Sequence, residues 1–475
     1  MNFKNLLIIF IISFAFSEVW EGYTIFTPYV LDDSRASTAT YLLNTEGETI
    51  HTWAHEQNPA SMPYLRPDSS IVYPYVVENP SMMAGGVGGG IQIISWDGSI
   101  LWNYEISNID FQHHHDIQPF PNGNILAIAW ERKTATEAYN LGREEIDNPI
   151  NQMWSEVIFE LEPIDDDDAN IVWEWHLWDH LIQDIDSSYP GFGNITQHPE
   201  LFNINEGNVG SGTISNGDWF HINAVDYNEV LDQIVFSSRL QDEIFIIDHS
   251  TSSEEASGHT GGNCGFGGDF IYRWGNPQNY ARGYENDKQL DGQHGINWIP
   301  ISYPGGGNLI LFNNFYSQSL SSVFELEPPL NENGCYDISY NEPFGPLEPI
   351  WMHTEVYYAD RQSGAFRLGN GNTLITDANS VRIIEVNIEG DIQWEYNFTE
   401  NSNMIPRAQK YPIDYLEADI LPGDVNNDGI INILDVVSTV NIVLGQAEWV
   451  DAADYNSDGV INVLDIVSIV NIILN

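Results

Sequence analysis

Six strand pairs of one pattern recur along this chain, and few architectures can absorb six like sheets. Each unit is an apolar strand, a turn and a second strand ending on tryptophan. The units fall at 41–53, 91–102, 157–173, 244–274, 323–351 and 383–394. A second hairpin signal, Asn-Gly between alternating apolar residues, follows most of them, as in 117–126 and 366–375. Two hairpins per unit make a four-stranded sheet. Six such sheets set radially leave only short, protected edges. The expectation is an all-β fold, a six-bladed β-propeller over 18–421, against the alternative of an open sandwich with irregular repeats.

The two ends of the chain differ from this body. Lys4 precedes an apolar run from Leu6 to Phe16 that closes in small residues near Ser17. That layout predicts a signal peptide over 1–17 and a secreted protein, extracellular, at the cell surface or periplasmic. No later segment is long and apolar enough for membrane insertion. The charge of −54, from 69 acidic and 15 basic side chains, argues against nucleic acid and anionic membrane surfaces as partners. An exported chain permits a disulfide between Cys264 and Cys335, with two free thiols as the equal alternative.

Beyond Leu421-Pro-Gly the pattern changes to short helical runs. Residues 424–435 and 454–465 are near copies. Each places oxygen donors at loop positions 1, 3, 5, 9 and 12, glycine at 6 and a backbone carbonyl at 7. This is the EF-hand-type spacing with aspartate closing the loop, and hard oxygen donors at that spacing select Ca2+. The metal ligands expected are Asp424, Asn426, Asp428, Ile430, Asn432 and Asp435 in the first loop. In the second they are Asp454, Asn456, Asp458, Val460, Asn462 and Asp465. Apolar helices are expected to follow over 436–444 and 466–474. The duplicated loop and helix resemble type I dockerin domains over 422–475. The resemblance implies a calcium-folded module for a cohesin-like or cell-surface partner.

In propellers, chemistry gathers where the innermost strands begin. Aligning the units on their turns puts His115, His294 and Ser363 at one place, with His221 at it or next to it. Arg239 lies in the strand after His221. Three histidines suit zinc. An arginine beside them suits a sulfonate or similar anion better, through charge-assisted bonds.

These motifs, with Trp173-Glu-Trp-His-Leu-Trp-Asp-His180, Ile246-Ile-Asp-His-Ser250, Tyr272-Arg-Trp-Gly275 and Leu311-Phe-Asn-Asn314, resemble the arylsulfate sulfotransferase family. The likeness runs from about Trp20 to Tyr415. It implies a six-bladed propeller that moves sulfuryl groups between phenols without a nucleotide donor. It implies that His294 carries the sulfuryl group, that His221, Asn223 and Arg239 hold the sulfate, and that His115, or His114 in its place, handles the phenol proton. Gly295 follows the nucleophile where relatives often carry aspartate, which leaves open how the imidazole tautomer is set.

The chemistry is self-consistent. A neutral imidazole is a competent nucleophile, a covalent intermediate gives ping-pong kinetics, and a second imidazole of ordinary pKa can give and take a proton. No cofactor is needed for the transfer. The substrates implied are an aryl sulfate and a phenol. The alternatives are a quinone- or metal-dependent propeller oxidoreductase and a non-catalytic propeller displayed through its dockerin.

Overall fold

The computed structural model describes residues 18–473, apart from 31–37, 211–214, 355–356, 401, 417–422, 426–430, 446, 448–449 and 457–458. The segment expected as a signal peptide, the junction at 421–422, and Asn426, Asp428, Ile430 and Asp458 lie outside the described residues.

Six antiparallel four-stranded sheets form the blades of a propeller. Taken from the axis outward, the second blade is Tyr64–Leu65, Ile71–Val76, Gly89–Ile94 and Ile100–Glu105. The third is Phe111–Pro119, Ile125–Thr134, Gln152–Ile164 and Asp168–His176. The fourth is Ile222–Asn228, Gln233–Ser238, Glu243–Asp248 and Tyr272–Trp274. The fifth is His294–Trp298, Leu309–Ser317, Leu320–Leu326 and Trp351–His353. The sixth is Gly364–Arg367, Thr373–Asp377, Arg382–Val386 and Ile392–Asn397.

The first blade joins both ends of the ring. Its innermost strand, Ala408–Pro412, comes from the far end of the domain and pairs with Gly22–Phe26. Thr38–Leu43 and Thr49–His55 complete it. This closure ties the last strand of the domain to the first, and the sequence pattern had not shown it.

The recurrent tryptophan acts as a clip between neighbouring blades. It sits on the outermost strand and donates its indole N–H to the outer turn of the next blade. Trp53 reaches the Ser95 carbonyl at 2.9 Å, Trp102 that of Asp168 at 2.8 Å, and Trp173 the Thr251 hydroxyl at 3.2 Å. Trp274 reaches the Pro346 carbonyl at 2.7 Å and Trp351 that of Ile388 at 2.9 Å. A buried indole needs such a partner, so ring position and residue type are linked. Apolar faces then pack between blades, as with Ile296, Leu309 and Leu311 against Val235, Ile244 and Ile246. Cys264 and Cys335 are bonded, joining the outer loops of the fourth and fifth blades.

The C-terminal helices are Ile433–Val443 and Val463–Ile473, each starting three residues earlier than the sequence suggested. Asp435 and Asp465 therefore lie in the first helical turn, where a carboxylate complements the helix dipole.

Candidate active site

The starts of the innermost strands share one backbone device. His115, His221 and Ser363 have φ of 52°, 62° and 79°, and Gly295 has 65°. Left-handed backbone is costly for a side chain other than glycine, yet it recurs here blade after blade. The turn directs side chains to the channel mouth. It also revises the alignment: His221 shares the place of His115 and Ser363, while in the fifth blade that place is Gly295 and His294 comes one residue before it.

Gly295 has a packing reason too. A Cβ there would stand 2.9 Å from the Gly364 Cα and 3.1 Å from the Ser363 carbonyl oxygen, which disfavours an aspartate. The stem of Arg407 passes beside both glycines. Its guanidinium bonds Asp116 Oδ2 at 2.6 Å and the Tyr64 hydroxyl at 3.1 Å, and that hydroxyl donates to Asp116 Oδ1 at 2.8 Å. This buried trio forms a floor beneath the histidines. On its other side, toward the ends of the same strands, a separate cavity of about 930 Å³ opens, lined in part by Tyr64, Asp226, Phe366 and Arg407.

Above the floor three imidazoles are buried together. The rings of His115 and His221 stand 4.7 Å apart at 72°. His294 lies close enough for its charge, and that of Arg239, to be felt at this cluster.

His294 Nδ1 lies 2.8 Å from Asn314 Oδ1 and 3.0 Å from the Gly292 carbonyl oxygen. The Asn314 amide is itself fixed, since its Nδ2 donates to the Ala359 and Gln362 carbonyls. Both neighbours of Nδ1 are acceptors, so Nδ1 carries the proton and Nε2 keeps its lone pair. The tautomer is thus set by Asn314. Burial first, then the Arg239 charge, holds His294 at a pKa of about 3, so the ring is neutral at physiological pH.

His221 Nδ1 donates to Asp218 Oδ2 at 2.6 Å. Asn223 ties two blades: its Nδ2 donates to the Gln293 carbonyl at 2.6 Å and its Oδ1 accepts from Ser237 at 2.5 Å. His114 does not face the channel mouth. It stacks on Trp130 at 4.2 Å and bonds Glu156 and His115 from behind. His115 itself lacks an ordinary pKa; burial and the neighbouring histidines push it well below the usual range.

Arg239 follows the strand Gln233–Ser238, its backbone N–H bonded to the His221 carbonyl at 3.0 Å. Its guanidinium lies 5.8 Å from the Phe315 ring and has no ion pair or hydrogen bond among the described residues. The other described arginines each hold one or both.

Sequence reasoning quoted Asn314 within the motif 311–314 without giving it a role, and missed Asp218, Glu156 and Gly86. A Cβ on Gly86 would fall 1.9 Å from the His115 ring, so the backbone there packs directly against that imidazole, as Gly88 packs against His113. The glycine-rich run 85–90 was the available signal for Gly86. Asp218, three residues before His221, offered a weaker one, and Glu156 none.

In the C-terminal loops, the Asp435 carboxylate accepts the N–H groups of Val425 and Asn432 at 2.8 Å each. Asp465 likewise accepts those of Asn456 and Asn462, at 3.2 and 2.9 Å. Asp424, Asp435 and Asp465 are buried carboxylates, which a hard cation would compensate.

Comparison with known proteins places these features. The model of the family described as Arylsulfotransferase (ASST) matches residues 29–331, and that of the Dockerin type I domain matches 422–474. No curated protein matches the chain. Similar solved structures include a protein of unknown function from Bacteroides caccae, at 11% identity and TM-score 0.42, covering 82% of this chain and 98% of that one. A putative 6-phosphogluconolactonase from Bacteroides fragilis has 10% identity and TM-score 0.39, with the same coverage. The periplasmic gluconolactonase of Pseudomonas aeruginosa has 10% identity and TM-score 0.40, covering 82% and 99%.

Proposed function

The chain belongs to the arylsulfotransferase family, and from that premise we propose that its channel mouth passes a sulfuryl group from an aryl sulfate to a phenol through a covalent adduct on His294. Arg239 carries the proposal. In a chain with 69 acidic side chains, its guanidinium has no ion pair among the described residues and stands near a neutral imidazole whose Nε2 is bare. An unpaired cation next to a nucleophile is the arrangement a sulfate monoester requires.

His294 Nε2 attacks sulfur, the S–O bond to the aryl oxygen breaks, and the phenol departs. A second phenol then takes the sulfuryl group. The transferring group is expected to be loose and charge-spread, by analogy with phosphoryl transfer. Arg239 binds the sulfonate oxygens. The His221 ring, fixed by its bond to Asp218 and set beside His115, helps to hold them. Asn223 keeps the Gln293–His294 backbone in place. His115 exchanges the phenol proton. No nucleotide donor enters the scheme.

The dockerin domain is read as a calcium-folded module for a cohesin-type partner, on an exported protein. Asp424, Asn432 and Asp435 in one loop, and Asp454, Asn456, Val460, Asn462 and Asp465 in the other, would hold Ca2+ with the loop residues between them. The ion would supply the charge that the buried carboxylates need.

The test uses 4-nitrophenyl sulfate with and without phenol. Without acceptor, nitrophenol should appear as a burst of about one equivalent. With phenol, turnover should continue and phenyl sulfate accumulate. Rapid quench should give a sulfonated peptide containing His294. A His294→Ala chain that still turns over would refute the assignment.

A further inference from the structure

Behind the channel mouth, three side chains form an unbroken row. Glu156 Oε2 lies 2.9 Å from His114 Nε2, and His114 Nδ1 lies 2.9 Å from His115 Nδ1. Glu156, His114 and His115 are all buried. The row is also held rigidly. His114 stacks on Trp130, Glu156 Oε1 accepts the Ile222 N–H at 3.0 Å, and the Gly86 backbone packs against the Cε1, Nε2 and Cδ2 side of His115.

Each contact joins two atoms that both bear lone pairs, so each needs one proton. A neutral imidazole has a single N–H, which makes the two protons point the same way along the row. In one state Glu156 is a carboxylic acid donating to His114 Nε2, His114 Nδ1 donates to His115 Nδ1, and His115 carries its hydrogen on Nε2. In the other, His115 Nδ1 donates to His114 Nδ1, His114 Nε2 donates to the Glu156 carboxylate, and His115 Nε2 is bare.

We propose that Glu156 and His114 act through His115 as a proton relay, switching between these two states as the sulfuryl group is passed on and off His294. The inference rests on the sulfuryl-transfer reading above. In the first half-reaction the His294 Nε2 lone pair forms the N–S bond, and the S–O bond breaks with its electrons going to the aryl oxygen. That oxygen takes the His115 Nε2 proton. The His114 Nδ1 proton moves to His115 Nδ1, and the Glu156 proton moves to His114 Nε2. The negative charge of the aryl sulfate ends on Glu156, and sulfonated His294 is neutral overall. The second half-reaction reverses every transfer, the acceptor phenol supplying the proton.

The relay resolves a chemical difficulty. Burial keeps His115 from becoming an imidazolium, so on its own it cannot serve as an ordinary acid. Burial and the nearby Asp218 push Glu156 well above the usual carboxylate range, which matches the acid end of the row at rest.

Leaving-group dependence tests it in the full chain. A 4-nitrophenoxide departs without needing a proton, whereas unsubstituted phenoxide needs one. Glu156→Gln keeps a hydrogen bond to His114 but cannot pass a proton, and His114→Gln is the second variant. The burst of nitrophenol counts folded sites, so rates are taken per active site. Each variant should lose about 100-fold more kcat/KM on phenyl sulfate than on 4-nitrophenyl sulfate, in the range expected for general acid catalysis. Equal losses on both substrates, or no loss, would overturn the relay. A wild-type chain with no burst would instead sink the sulfuryl-transfer reading itself.

Discussion

Replacing Arg239 by methionine keeps most of the aliphatic stem and removes the guanidinium, which isolates the proposed anion anchor. Two charge-assisted bonds to a sulfonate contribute roughly 1.5–3 kcal/mol each. Arg239 is only partly buried, so the lower end applies and the pair contributes about 3–4 kcal/mol. This corresponds to a loss of about 10²–10³ in kcat/KM. The aryl sulfate carries its charge before reaction as well as during it, so much of the loss should fall on KM. The nucleophile should survive. Burial is the first cause of the neutral His294, and Arg239 only the second; the variant should therefore still give a nitrophenol burst at saturating substrate. Inorganic sulfate should compete with 4-nitrophenyl sulfate in the wild type and hardly at all in Arg239→Met. The reasoning fails if kcat/KM falls less than about 3-fold, or if the burst disappears while KM is unchanged.

Trp102→Phe removes the clip to the Asp168 carbonyl and should cost about 1–2 kcal/mol in urea unfolding, with little change in rate per active site. Acid should unfold the propeller steeply. His55, His113 and His294 sit near pKa 3 in the fold, with His114 and His115 well below their ordinary value. A lowered folded pKa means the unfolded chain binds protons first, so this stability is complete above about pH 6.5 and is lost as pH falls toward the folded values. Buried carboxyls raised in the fold, Asp226 (about 7) and Glu156 among them, offset part of this by holding protons when folded. Each histidine titrating only in the unfolded chain contributes up to about 1.4 kcal/mol per pH unit below pH 6.5, measurable by denaturant titration across pH. A flat profile from pH 6.5 to 5 would contradict it. Chelation by EGTA should abolish a separate calorimetric transition of the C-terminal domain and leave the propeller transition in place; a large shift of the latter would show that the two are coupled.

Repetition and spacing made the fold legible. The tryptophan of each outer strand, as at Trp53, Trp102 and Trp351, marks the blades because in five of the six its indole N–H finds the next blade's turn. The dockerin loops were legible for a similar reason, since oxygen spacing within twelve residues is a local property. The histidines could be picked out because each stands at the same point of its own blade. Their hydrogen-bond partners could not. Asn314 lies one strand beyond His294, Glu156 meets His114 across 42 residues, and Arg407 reaches Asp116 from the opposite end of the ring across 291. Contacts of that range leave no periodic trace in the chain. Repeat pattern alone determined that there would be six sheets around a channel with imidazoles at its mouth. Only the tertiary structure decided which nitrogen of His294 is bare, which cation stands beside it without an ion pair among the described residues, and where a proton could go. The first and last depend on strands of one blade, Asn314 beside His294 and Glu156 beside His114, while the Arg239 charge reaches His294 from the adjacent blade, and none of these distances exists before the strands pack.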